Sequence, residues 1–126
     1  MSNQKKLDAY KQLELKSRVD DASPHRLIQM LLEGALSAIA EAQGAMTRGH
    51  IVVKGERITR AINIVSGLRD SLKPEGGNTL PYDLDRLYEY MQRRLLEAHA
   101  QNEGEGLAEV SELLLTIKSG WDDISP

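Results

Sequence analysis

The chain has 126 residues, with 16 lysines and arginines against 19 aspartates and glutamates and no cysteine, so one compact domain without disulfides or thiolate metal sites is expected. A net charge of −3, with an acidic last quarter, argues against nucleic-acid binding, which needs a concentrated basic surface. No apolar run is long enough for membrane insertion and no secretory signal follows the N-terminal lysines, so a cytoplasmic protein is expected.

The first 20 residues differ from the rest of the chain. Tyr10 and Val19 are among their few apolar residues, and lysines are interleaved between them. A short amphipathic helix can form there, but isolated helices below ~12–15 residues are marginally stable in water. We therefore predict a mobile amphipathic segment over residues 1–20 that docks reversibly on a bundle formed by residues 21–126.

The first predicted helix starts at Ser23-Pro24, because serine caps free backbone amides and proline fits the first helical turn. It is expected to run to about Met46. The three glycines between Gln43 and Gly55 indicate the first break.

Three more helices follow from the spacing of apolar residues and from the breakers between them. They are predicted from about Val53 to Leu72, from a cap at Asn78 or Thr79 to Asn102, and from Leu107 to Trp121. Four helices of roughly 20 residues with short connections predict an all-α, antiparallel up-down four-helix bundle with the short N-terminal segment docked on it. The side chains expected in its core include Tyr88, Leu95, Leu114, Ile117 and Trp121.

Motifs for catalysis or cofactor binding do not occur in the sequence. His25, His50 and His99 are not spaced as a metal site, and no glycine run ends in the Gly-Lys-Ser/Thr of a phosphate loop. We therefore predict no enzyme activity, no cofactor and no metal.

The first helix carries more apolar residues than one core requires, because about three positions in seven face the core of a bundle. Part of this band is expected to face outward and to bind a partner helix. The candidate partner-binding residues of the bundle are Ile28, Leu32 and Leu36, with Leu113 and Leu115 as weaker candidates on the fourth helix. The alternative is that the N-terminal segment covers this strip as a fifth core element, and both readings combine if that cover lifts when a partner arrives.

Three stretches carry a further pattern: ASPHRLIQMLLEGA at 22–35, LYEYMQRRLLEAH at 87–99 and LLLTIKSGW at 113–121. Their order and spacing, with Tyr10 ahead of them, resemble the FliS family of flagellin export chaperones over nearly the whole chain. The sequence departs from the usual family pattern at Leu32-Glu33, where Tyr-Asp is common.

The resemblance implies a cytoplasmic chaperone that binds the disordered C-terminal segment of flagellin, prevents premature polymerisation and keeps flagellin competent for type III export. It also implies that the flagellin segment wraps around the bundle, and that an N-terminal cover, here including Tyr10 and Val19, occupies part of the site beforehand. The flagellar export apparatus and other flagellar regulators are further expected partners of a monomer or homodimer. On this view, Leu32→Glu is predicted to leave the bundle folded and to abolish flagellin capture.

Two other classes of protein remain as alternatives. One is a histidine phosphotransfer bundle with His99 as acceptor, although the chain reads HAQNE there and lacks the His-x-Leu-Lys-Gly pattern of such domains. The other is a structural dimerisation module.

Overall fold

The computed structural model describes residues 22–74 and 76–124, which form four helices and contain no β-strand. The helices are α1 (Pro24–Arg48), α2 (Ile51–Asp70), α3 (Leu80–Gln101) and α4 (Gly104–Asp122). Contacts join α1 to α2 and α4, and α3 to α2 and α4, with consecutive helices antiparallel. The predicted four-helix bundle is therefore confirmed, while Tyr10 and Val19 lie outside the described residues.

Local sequence explains where α1 starts and stops. The Ser23 hydroxyl accepts a hydrogen bond of 3.1 Å from the Arg26 amide, and Pro24 is the first helical residue, as predicted. The helix ends at Gly49, whose φ of 74° lies in the left-handed region that glycine adopts without steric cost. At α3, the N-cap residue is Thr79, as one of the two predicted caps, but the capping side chain is that of Asn78, which accepts from the Leu80 amide at 3.0 Å.

Four glycines in the predicted breaks, Gly44, Gly55, Gly104 and Gly106, lie inside helices instead. The first break contains only Gly49 and His50, so α2 begins two residues earlier than predicted and includes Gly55. A Cβ on Gly55 would lie 3.2 Å from His99 Cε1, and a Cβ on Gly106 in α4 would lie 2.9 Å from Ala98 Cβ. Gly55 and Gly106 therefore allow close approach of α3 rather than ending a helix.

The core contains no phenylalanine and is built from aliphatic residues, methionine and one tyrosine. Its buried apolar residues are Leu32, Ala35, Ala38, Ile39, Ala42, Ala45, Ile58, Ala61, Val65, Leu68, Tyr88, Met91, Leu95, Ala98, Leu107, Val110 and Leu114. Ile117 and Trp121, which were also predicted in the core, are half-buried and pack against it. Within the described residues, none of the helices combines the length and the apolar character that a membrane crossing requires.

The first helix buries a wider arc than predicted. Leu32 is fully buried in the core, so its predicted outward placement is wrong, and Leu32→Glu is now expected to disrupt the core. Small residues on α1 let α2 approach closely: a Cβ on Gly34 would lie 3.3 Å from Ile64 Cδ1. Ile28 and Leu36 are half-buried against the core rather than fully exposed.

Candidate protein-binding site

An open cleft lies at the end of the bundle where α1 and α3 begin and where α2 and α4 end. It has two adjoining parts of about 610 and about 270 Å³, which share Ile28, Ser71, Lys73 and Trp121. Most of its lining is apolar, and the lining residues of this kind are Pro24, Leu27, Ile28, Leu72, Pro81, Leu84, Tyr88, Ile117, Trp121 and Ile124. We call this site the terminal cleft.

The indole of Trp121 is held in the terminal cleft by the start of α1. Its ring stacks on the His25 imidazole with centroids 4.9 Å apart and planes 13° apart. The Trp121 Nε1–H donates to the His25 carbonyl at 2.9 Å, and His25 Nε2 lies 2.9 Å from the Trp121 carbonyl oxygen. Gln29 adds a hydrogen bond of 2.8 Å to Asp122. One wall of the cleft is therefore fixed by four polar and aromatic contacts between α1 and α4.

The charge around the terminal cleft is unequally distributed. The lining residues that the structure describes include no aspartate or glutamate, and Lys73 is their one lysine. Close by, Lys118 pairs with Asp122 at 2.6 Å. This bond, and then the one from Gln29, lowers the pKa of the Asp122 carboxyl. The cleft can thus receive the apolar side chains of a partner, and it places the ammonium group of Lys73 beside them.

A second apolar surface lies at the opposite end of the bundle, between the start of α2 and the end of α3. Ile51 and Val52 are 70% and 74% exposed, and they border a shallow groove of about 590 Å³ with Gly55 and His99. Leu96, one helical turn before His99, is also exposed. We call this surface the α2–α3 groove.

His99 lacks the setting of a phosphate acceptor. It is half-buried beside Gly55, and its Nδ1 is buried with no hydrogen-bond partner among the described residues. Phosphotransfer needs an exposed imidazole, so this geometry gives the alternative no support. Nearby, the buried ammonium of Lys54 donates to the His99 carbonyl at 3.3 Å and to Asn102 Oδ1 at 2.8 Å. A positive charge is favourable at this position, because it lies at the C-terminal end of α3.

Where α3 meets α4, four side chains form a hydrogen-bonded cluster that we call the arginine clamp. Arg94 donates to Glu103 at 2.9 Å and to Glu109 at 2.8 Å, and the Tyr90 hydroxyl donates to Glu109 at 2.6 Å. The Tyr90 bond, and then the Arg94 bond, lowers the pKa of the Glu109 carboxyl. Arg94 therefore ties α3 to α4.

The structure brings one predicted binding residue of the bundle, Ile28, into the terminal cleft. Leu36 and Leu113 are half-buried against the core, and Leu115 is 53% exposed but does not line the cleft. The sequence-based strip missed several exposed apolar residues, and these are Ile51, Val52, Val53, Leu80, Tyr82, Leu96 and Ile124. Several of them lie close to helix ends, where periodicity gives little information about exposure.

Comparison with known proteins places this bundle in one family. The sequence profile described as Flagellar protein FliS matches residues 6–126. The chain is 51% identical over 121 residues to the Flagellar secretion chaperone FliSB of Pseudomonas aeruginosa, with 96% of each chain covered. It is 43% identical over 121 residues to the Flagellar secretion chaperone FliS of Salmonella typhimurium, with 95% of this chain and 90% of that one covered. It is 39% identical over 120 residues to the protein of the same name from Vibrio cholerae, with 95% and 88% covered. The chain therefore belongs to the FliS family of flagellar secretion chaperones.

Proposed function

We propose that this protein is a cytoplasmic export chaperone that binds the disordered C-terminal segment of flagellin. Binding prevents premature polymerisation and keeps flagellin competent for type III export, after which the export apparatus is the next partner. The observation that carries the proposal is the terminal cleft, an apolar site that remains open after the core of the bundle is filled. Membership of a family of flagellar secretion chaperones supports flagellin as the client.

A disordered client loses conformational entropy when it is ordered, so it must bury apolar surface in return. The larger part of the terminal cleft, about 610 Å³, lies in the ~300–1,000 Å³ range of pockets that enclose most of a ligand. Ile28, Leu84 and Trp121 offer it aliphatic and aromatic surface. A helical client segment can therefore insert apolar side chains there without any chemical step.

The N-terminal segment, with Tyr10 and Val19, is proposed to occupy part of the terminal cleft before flagellin arrives. The chain enters the bundle at this cleft, because Ser23 and Pro24 line it. An extended chain spans ~3.3 Å per residue, so 20 residues are long enough to cover a bundle whose helices are ~30 Å long. Because so short a helix is marginally stable, the client can displace it.

Calorimetric titration with intact flagellin and with flagellin that lacks its C-terminal segment tests this function. Binding to the intact protein and its loss on truncation are expected. Equal affinity for both forms would contradict the proposed client segment. Light scattering during seeded filament assembly gives a second measurement, in which an equimolar amount of the chaperone should suppress growth.

Ile124→Glu tests whether the terminal cleft is the site. Ile124 lines the cleft and is 54% exposed, so the change should weaken flagellin binding at least about tenfold and leave the fold intact. Ser119→Glu is the matched control, since Ser119 is exposed near the end of α4, five residues before Ile124, and does not line the cleft. If both changes weaken binding equally, the flagellin site lies elsewhere on the bundle.

A further inference from the structure

We propose that Lys73 makes the terminal cleft selective for client segments that carry a carboxylate one helical turn from their apolar anchor. This inference deepens the proposed function and rests on it. It names a feature of the client that the apolar lining alone does not require.

The position of Lys73 is the first observation. Lys73 borders both parts of the terminal cleft, together with Ile28 and Trp121. No carboxylate lies among the lining residues that the structure describes, although the chain as a whole has a net charge of −3. Among the described residues, Lys73 thus places a positive charge without a neighbouring carboxylate in the lining, at the rim of an apolar site.

The second observation is that neighbouring cations pair with carboxylates, whereas Lys73 has no such partner among the residues that the structure describes. Arg26 pairs with Glu33, Arg69 with Asp85 and Lys118 with Asp122. Within residues 22–74 and 76–124, no carboxylate lies at ion-pair distance from Lys73, whose side chain is exposed. His25, the other basic side chain of the lining, is engaged by Trp121. Lys73 is therefore the group that is available to an acidic client residue.

Docking of an apolar anchor removes water from the rim, which strengthens the attraction between the Lys73 ammonium and a client carboxylate. A basic client residue in the same place would be repelled, so the lysine contributes to selectivity as well as to affinity. In a helical client, residues three or four apart share one face. The carboxylate should therefore be one turn away from the side chain that enters the cleft.

Calorimetry with a synthetic peptide of the flagellin C-terminal segment tests this, with Lys73→Glu as the variant and Arg60→Glu as the control. Arg60 is an exposed residue of α2 outside the cleft, and its replacement changes the net charge equally. Lys73→Glu should weaken binding about tenfold at low salt, and the loss should shrink near 1 M salt, where the Debye length is ~3 Å. Arg60→Glu should change the affinity less than about twofold.

A charge exchange completes the test: each acidic residue of the peptide is replaced by lysine in turn. One such peptide should recover affinity for Lys73→Glu and lose affinity for the unmodified protein. Unchanged binding by Lys73→Glu, or a loss that no exchanged peptide restores, would overturn the inference and leave the proposed function standing. Absence of binding between the unmodified protein and the peptide would instead overturn the proposed function, and the inference with it.

Discussion

Gly106 at one end of the bundle and Trp121 at the other show two ways in which α4 meets its neighbours. At Gly106 the backbone of α4 approaches Ala98 so closely that a Cβ would lie 2.9 Å away, and the arginine clamp fastens the same junction. At Trp121 the helix is tied to α1, but the side chains between the helices leave the terminal cleft open. The comparison indicates that the tight packing and the proposed client site lie at opposite ends of the bundle, so each can be changed separately.

Leu32→Glu should have the largest effect, because it breaks the core that both ends share. Leu32 is fully buried, and an uncompensated charge there should lower the free energy of unfolding by about 4 kcal/mol. Urea denaturation of this variant and of Ser37→Glu, an exposed position on α1, gives the measurement. An unchanged urea midpoint for Leu32→Glu would restore the outward placement that the sequence first suggested.

Gly106→Ala should destabilise the tightly packed end by about 1–3 kcal/mol, because its Cβ would overlap Ala98. Gly120→Ala, on the same helix at the open end, meets no atom within 4 Å. That change should raise stability by about 0.5–1 kcal/mol through its better helix propensity. Thermal unfolding of the two variants sharpens the comparison, and equal shifts of the same sign would contradict it.

The arginine clamp should make the packed end sensitive to acid. The pKa of Glu109 is lowered from its ordinary 4.5 by the Tyr90 and Arg94 hydrogen bonds. A carboxylate with a lowered folded-state pKa stabilises the fold above its unfolded pKa, and the contribution is lost as pH falls through the folded value. The unmodified protein should therefore have a larger free energy of unfolding than Glu109→Gln at neutral pH, and this difference should fade below about pH 4.5.

Urea midpoints measured from pH 7 down to pH 2 check this, with Glu112→Gln as the exposed control on the same helix. The urea midpoints of the unmodified protein and of Glu109→Gln could instead differ by the same amount down to pH 2. That result would show that the Glu109 carboxylate does not stabilise the fold through its charge.

Leu115→Glu should have the smallest effect. Leu115 is exposed on α4 but lies outside the terminal cleft, so the change should weaken flagellin binding by no more than about threefold. Thr116→Glu is its neighbouring exposed control. A loss as large as that expected for Ile124→Glu would show that the client extends along this face.

Much of the fold could be predicted because local chemistry determines it. Ser23 and Pro24 specify the start of α1, and rows of apolar residues at helical spacing specify which faces meet. The role of a glycine could not be predicted in this way. Gly55 and Gly106 resemble breakers in the sequence, and only the position of α3 shows that close packing requires them.

The candidate site was harder to predict than the fold. In the broad apolar band of α1, a rotation of one position, ~100° on a helix, decides whether the row of Ile28, Leu32 and Leu36 faces the core or the solvent, and the sequence pattern does not fix that rotation. The terminal cleft gathers residues from all four helices, so the grouping of Ile28 with Lys73 and Trp121 depends on how the helices pack.

Lys54, in the first turn of α2, and Lys73, three residues beyond its end, should differ in their reactivity towards acylating reagents. Lys54 is 4% exposed and its amine is hydrogen-bonded to the end of α3, whereas Lys73 is exposed at the cleft. Mild acetylation followed by mass spectrometry should modify Lys73 readily and leave Lys54 protected for as long as the native packing persists. Modification at Lys54 would thus report transient opening of α2 from α3, on a timescale that calorimetry cannot resolve.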